Sequence, residues 1–256
     1  MSKVKTYILA ADLHYPVLDR SAWAAVMDYI RHNHIDGFVW MGDQLDMAEI
    51  SHWNKSKPLY RKQGSLAANL EGFNKEILDP LDKALPANAE KVWITGNHER
   101  FITIDLIEEQ PELDGMLSLD KVLHLPERGY KMIGLGGHHQ IGHLYEIHGD
   151  QVGGGMNPAK KVVDTWCQSV VMGHVHTLAQ YTKASPAHDK KRWTGTVLPC
   201  LSETNPGYGR GRANTWLTGF GLVVVRPDDS YNLFPVVITD GQFSMPDGRT
   251  YGRKAA

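Results

Sequence analysis

The sequence predicts an α/β protein in which two sheets pack as a sandwich with helices flanking them. Three observations predict it. Short apolar runs alternate with amphipathic stretches as far as residue 176; five of those runs empty into polar clusters; and beyond residue 177 the helical signal fades, leaving apolar runs joined by turns.

Residues 7–11 are an apolar run of strand length that leads directly into Asp12, Leu13 and His14. Trp23, Val26, Met27 and Ile30 then recur at i, i+3, i+4 and i+7, which lines one face of a helix beginning near Ser21. A second apolar run, 38–41, ends at Gly42 and Asp43. Strand, helix and strand at this spacing form a βαβ unit with parallel strands and a right-handed crossover. Residues 51–90 are polar and mix lysine with leucine and alanine, so a helical excursion bordering the site is expected there. The third strand, 91–95, delivers Gly96, Asn97, His98, Glu99 and Arg100. A helix over 101–109 stops before Pro111, and strands follow at 130–135 and 141–147, the second delivering His148, Gly149 and Asp150. Asn157 and Pro158 suit the cap and first turn of a helix through Cys167. The strand at 169–172 leads to Gly173, His174, Val175 and His176. Strands at 178–184, 194–201, 220–226 and 231–238 complete the second part, with no internal repeat.

A chain of 256 residues with 42% hydrophobic and 22% charged residues can bury one sizeable core, and residues 1–256 read as a single domain. A formal net charge of -2 makes no demand for a polyanionic partner such as long duplex DNA. The run at 7–11 is too short for a signal-peptide core, and no stretch approaches the roughly 20 apolar residues of a membrane span, so a cytoplasmic protein without a membrane partner is expected. Cys167 and Cys200 lack C-x-x-C spacing, which argues against a thiolate zinc site and for two buried thiols.

The 13 histidines matter through their positions. Side chains at the C-terminal ends of neighbouring strands in an α/β sheet converge on one crevice. The clusters then bring together Asp12, His14, Asp43, Asn97, His148, His174 and His176: two carboxylates, one amide and four imidazoles. Oxygen and nitrogen donors without thiolate suit divalent Mn, Fe, Ni or Zn, and seven groups exceed what one tetrahedral ion needs. Two ions is the economical reading. Asp12 with His14, and His174 with His176, stand two residues apart, so each pair leaving a strand is expected to point to one side. Gly42, Gly96 and Gly173 precede ligands where the chain must turn abruptly or be approached closely.

The set D-x-H, G-D-x-x-D, G-N-H-E, H-G and G-H-x-H, in this order over residues 12–176, resembles the calcineurin-like metallophosphoesterases. The resemblance implies a four-layer sandwich and a centre of two divalent metal ions, manganese foremost, with iron, nickel, zinc or magnesium as alternatives. It implies that Asp12, His14 and His176 hold the first ion, that Asn97, His148 and His174 hold the second, and that Asp43 bridges them. His98 would stand beside the ions and protonate the leaving oxygen, while a water shared between the ions attacks phosphorus as hydroxide. Asp46 and Glu99 would orient ligands rather than bind metal.

Other features carry less weight. Gly136 to His139 with His143 read as a solvated hairpin turn, Lys190 to Arg192 as a solvated turn, and 206–212 as an exposed glycine- and arginine-rich loop. The protein-phosphatase branch of the family carries G-D-x-V-D-R-G, whereas this chain has Met47 and Ala48 in place of the arginine and glycine, which argues against a phosphoprotein substrate. A phosphodiester in a nucleotide or short single-stranded nucleic acid is the expected substrate. A phosphomonoesterase is the alternative, in which Arg100 or Arg210 would clamp the dianion. A catalytically silent metal-binding or assembly protein is the alternative of another class, and a leaving-group acid at His98 argues against it.

Overall fold

The computed structural model describes residues 3–51, 54, 64–113, 115, 118–186, 191–206 and 213–252. The loop at 207–212, the Lys190 end of the basic turn and nearly all of 52–63 lie outside these described residues. Among the described residues no helix is long and apolar enough to cross a membrane.

Strand β1, Lys5–Ala10, leads through helix α1, Arg20–His32, to β2, Gly37–Met41. Asp19 caps α1, its carboxylate accepting from the amides of Ser21 and Ala22. β3, Glu90–Ile94, and β4, Tyr130–Ile133, extend a parallel series in which Trp40 lies beside Trp93. β10, Gly219–Val225, pairs antiparallel with β1 and is covered by β11, Tyr231–Val237, to give the six-stranded order β11-β10-β1-β2-β3-β4. The second sheet contains β5, His139–Ile141, β6, Leu144–Ile147, β7, Val170–Met172, β8, Ala179–Ala184, and β9, Arg192–Val197, in the order β5-β6-β7-β9-β8. A small hairpin, β12 at Gln242–Ser244 and β13 at Thr250–Gly252, packs against α1.

Strand side chains alternate between faces, so a strand covered on both sides reads as a continuous apolar run. Here Ile8, Phe38, Trp40 and Trp93 face the α1 side, while Leu9, Val39, Met41, Val92 and Ile94 face the other sheet through Ile141, Leu144 and Val171. Val170, Met172 and Val197 of the second sheet pack in turn on Ala159, Val162 and Val163 of the helix Pro158–Trp166. Three apolar clusters between four layers are the predicted sandwich.

The excursion expected over 51–90 contains α2, Leu66–Phe73, a π turn at Asn74–Leu78 and α3, Asp79–Ala84. The widened turn precedes Pro80, which has no amide to donate and whose ring would crowd the carbonyl four residues earlier. Leu70, Phe73, Ile77, Leu78 and Leu81 join the α1 cluster, and Asn69 Nδ2 donates to Glu49 Oε1 at 2.6 Å, so the helix touches the loop after β2.

Three expectations are corrected. The strand expected over 141–147 is a hairpin, β5 turning at Gly142 and His143 into β6. Ile141 and Leu144 both enter the inter-sheet cluster, which makes the run look continuous. His139 therefore belongs to a buried strand, 5% exposed, and not to a solvated turn. Cys167 is exposed, in the left-handed conformation that ends the helix Pro158–Trp166, while Cys200 is buried as expected.

Candidate metal centre

Hydrogen bonding continues past the ends of β1 and β2. The amide of Asp12 donates to the Gly42 carbonyl at 3.0 Å, His14 to Asp43 at 2.9 Å and Tyr15 to Gln44 at 2.9 Å. Gly173 N donates to His148 O at 2.9 Å in the second sheet, and Leu201 N reaches the carbonyl of Ala11 at 3.1 Å, joining the two sheets at the site. Between these loops Asp12, His14, Asp43, His148 and His176 are buried, and Asn97, His98 and His174 are half-buried. The seven ligands expected from the five strand ends, with His98, meet here. His138, His139 and His143 take no part.

The pairs Asp12 with His14 and His174 with His176 do face one centre, but not as a strand continued. Asp12, His14, Asp43, His174 and His176 have φ of 54, 52, 54, 67 and 60°, the left-handed region. That conformation costs an L-residue roughly 1–2 kcal/mol and is sustained only where surrounding structure imposes it, characteristically at functional sites. The glycines serve close approach. A Cβ on Gly96 would lie 2.2 Å from Asp43 N and Oδ1, and one on Gly173 would lie 2.5 Å from Asp12 Oδ2.

His14 Nε2 is 3.2 Å from His176 Nε2, which is 3.3 Å from Asp12 Oδ1. Asp43 Oδ2 stands 3.4 Å from His148 Nε2 and 3.9 Å from His14 Nε2. Asn97 Oδ1 is 2.9 Å from His148 Nε2, and the other ring nitrogen of His148 is 3.0 Å from the Met41 carbonyl. Metal bonds of about 2.0–2.2 Å put adjacent ligand atoms about 3–3.5 Å apart, the spacing seen here. Asp12 Oδ1 is buried without a hydrogen bond, as an oxygen left for a cation would be. Donors of Asp12, His14 and His176, of Asp43, His148 and His174, and of His14, Asp46 and His98 form three groups each able to hold a metal ion. The donor set fits divalent metal.

The third group shares His14 with the first. Asp46 Oδ1 faces His14 Nδ1 at 3.3 Å, on the side of the ring away from His176, the usual placement of a carboxylate that orients a ligand histidine. Glu99 is fully buried and accepts from Gly96 N, Leu45 N and Asp43 N at 2.8, 3.0 and 3.1 Å, tying the loops after β2 and β3 together. Burial, then the Asp43 carboxylate, pushes its carboxyl up to about 7. For Asp43 burial acts upward as well, but His148 and His98 outweigh it and hold the carboxyl well below the usual range. Burial lowers His148, yet Asp43 more than offsets this and raises it to about 10.

His98 sits at the rim, its side chain 26% exposed. Its amide donates to Asp43 Oδ1 at 2.8 Å, and its ring packs edge-on to His14 with centroids 4.5 Å apart. Trp216, half-buried, was not singled out from the sequence; its ring centroid is 4.2 Å from that of His176. A lone tryptophan after Asn214 and Thr215 carries no local signal of this placement.

The layers and the strand order are those of the fold that the resemblance to the calcineurin-like metallophosphoesterases implies. No protein-family model matches the sequence. The gene 54 protein of Mycobacterium phage D29 is 26% identical over 271 residues, spanning 96% of this chain and 98% of that protein. Vacuolar Protein Sorting 29 from Cryptosporidium parvum superposes with a TM-score of 0.51 at 14% identity, covering 94% of each chain. A metallophosphoesterase from Sphaerobacter thermophilus covers 91% of this chain and 88% of its own at 10% identity and a TM-score of 0.40.

Proposed function

We propose that this chain is a metal-dependent phosphoester hydrolase that holds two divalent ions and acts on a phosphodiester in a nucleotide or short nucleic acid. The observation that carries the reading is the position of Asp43, whose Oδ2 faces His148 of one ligand group and His14 of the other. In this reading Asp12, His14 and His176 hold one ion, Asn97, His148 and His174 the other, and Asp43 bridges them. Bound there, the ions would neutralise phosphoryl oxygens and lower the pKa of a water toward neutrality. Oxygen and imidazole ligands without thiolate suit manganese, with iron, nickel, zinc and magnesium also in range.

The chain's own groups supply the rest. The contact of His148 Nδ1 with the Met41 carbonyl assigns the proton to that nitrogen and leaves Nε2 free to ligate. His98 Nδ1 faces the Asp46 carbonyl at 2.7 Å, which assigns it a proton in the same way, so the imidazolium form carries a second proton on Nε2 toward the centre. From there it can protonate a leaving oxygen. Arg100, the described cation expected to clamp a monoester dianion, is instead paired with Asp105 at 2.8 Å, which supports the diester.

The test is hydrolysis of bis-p-nitrophenyl phosphate against p-nitrophenyl phosphate by metal-stripped protein, with Mn²⁺, Ni²⁺, Zn²⁺ and Mg²⁺ restored separately. Faster turnover of the diester is expected. Faster turnover of the monoester would make the chain a phosphomonoesterase, and metal binding without turnover of either would leave a binding or assembly role.

A further inference from the structure

Trp216 lies at the rim of the centre, half-buried, on a segment held by hydrogen bonds on either side of it. Leu217 N donates to His176 O at 2.8 Å, and Cys200 N donates to Leu217 O at 3.0 Å. Trp216 N donates to Asn214 Oδ1 at 3.0 Å, while Asn214 Nδ2 donates to Thr204 O at 2.7 Å, stapling the segment to the loop after β9. The indole packs on His176 with rings inclined by 65°, and His176 Nε2 is 3.3 Å from Asp12 Oδ1. A half-buried amphipathic ring thus stands beside the ligand cluster on an anchored segment of backbone. Tryptophan has few side-chain torsions to immobilise, so it binds at low entropic cost.

We infer that Trp216 is the platform on which the base of a nucleotide substrate stacks while its phosphoryl group occupies the centre; this rests on the phosphoester reading of that centre. Base stacking on an aromatic side chain is tolerant of base identity and contributes affinity apart from the charge of the phosphate. It therefore selects nucleotides over simple phosphoesters without requiring a basic surface, in keeping with a net charge of -2. The rival role is purely local, with the indole merely bracing His176.

Calorimetric titration of the Mn²⁺-loaded protein separates the two, with thymidine 5′-monophosphate and inorganic phosphate as probes and wild type, Trp216→Ala and Trp216→Phe as proteins. Wild type is expected to bind the nucleotide more tightly than phosphate. Trp216→Ala should lose roughly tenfold or more in nucleotide affinity with phosphate affinity unchanged, and Trp216→Phe should keep most of it. Equal weakening of both probes in Trp216→Ala, with a fall in bound metal, would reduce Trp216 to a brace for His176 and overturn the inference. A wild type that prefers the nucleotide no more than phosphate would overturn it too. Because binding is read and not turnover, a base-selective protein that hydrolyses nothing would defeat only the hydrolase reading.

Discussion

His98 Nδ1 lies 2.7 Å from the main-chain oxygen of Asp46, and Nε2 of the same ring lies 3.9 Å from Asp43 Oδ2. The first contact fixes the ring; the second aims its free nitrogen at the centre. Burial works against the charged ring, but the carboxylates of Asp43 and Asp46 outweigh it and hold His98 above the ordinary histidine value. In the proposed reading the ring donates a proton and does not ligate, so His98→Ala is expected to cut kcat by about 10² or more while leaving metal content intact. Turnover and elemental analysis on the same preparation check it, and loss of metal would make His98 a ligand instead.

Asp43→Asn keeps the shape of the side chain and an oxygen able to accept from the His98 amide, now 2.8 Å from Oδ1. It replaces the other oxygen with an NH₂ group that cannot ligate. Both ions should be held less tightly, so metal retained per chain after gel filtration should fall for both sites together. Retention equal to that of wild type contradicts the bridging role.

Glu99 accepts from three buried amides, those of Gly96, Leu45 and Asp43. Glu99→Ala is expected to destabilise the fold by roughly 2–4 kcal/mol, because leaving buried donors unpaired costs more than the bonds themselves contribute. Metal affinity should fall roughly 10–100-fold as the loops after β2 and β3 lose their tie. Urea unfolding and metal titration read the two effects, and an unaltered midpoint would mean that water replaces the carboxylate without penalty.

The parts of this architecture visible in the sequence are those where one residue type does one thing. Ile8 and Leu9 enter different clusters, so β1 is apolar at successive positions, and the polar residues that follow stand out against it. That contrast made Asp12, Asp43, Asn97, His148 and His174 legible. The hairpin at 139–147 was not, because its turn, Gly142 and His143, interrupts the apolar run by only two residues. Nor could the left-handed conformations of Asp12, His14, Asp43, His174 and His176 be read locally, since loop-to-loop bonds such as Asp12 N to Gly42 O impose them. Trp216 gained its place from β10 and the loop after β9 folding back beside His176, a relationship between segments 40 residues apart in the chain.

The same blindness to distant partners hid the role of His139. Its Nδ1 lies 3.0 Å from Glu146 Oε2 and its Nε2 3.2 Å from Glu90 Oε1, and Tyr7 OH donates to Glu90 Oε2 at 3.1 Å. Glu146 is fully buried between the sheets. Burial lowers His139, but Glu146 and Glu90 outweigh it and raise the ring to about 9 from the ordinary 6.5. Glu146 itself is raised by burial to about 7 from 4.5, although His139 pulls it down. Both groups therefore bind protons more tightly folded than unfolded. A raised pKa stabilises fully below the unfolded value and loses that contribution as pH climbs through the folded one. Glu90, held low first by its hydrogen bond with His139, titrates below this window. The double variant H139Q/E146Q removes both titrations, so the stability advantage of wild type over it should shrink as pH rises from 4.5 toward 9, with the histidine's share lost between 6.5 and 9. Urea midpoints of the two proteins at pH 6 and pH 9.5 measure it; these two settings are chosen to lie at about the edges of the histidine window. An advantage that does not change with pH would mean that His139 is neutral in the folded chain and that the inter-sheet contacts are ordinary hydrogen bonds.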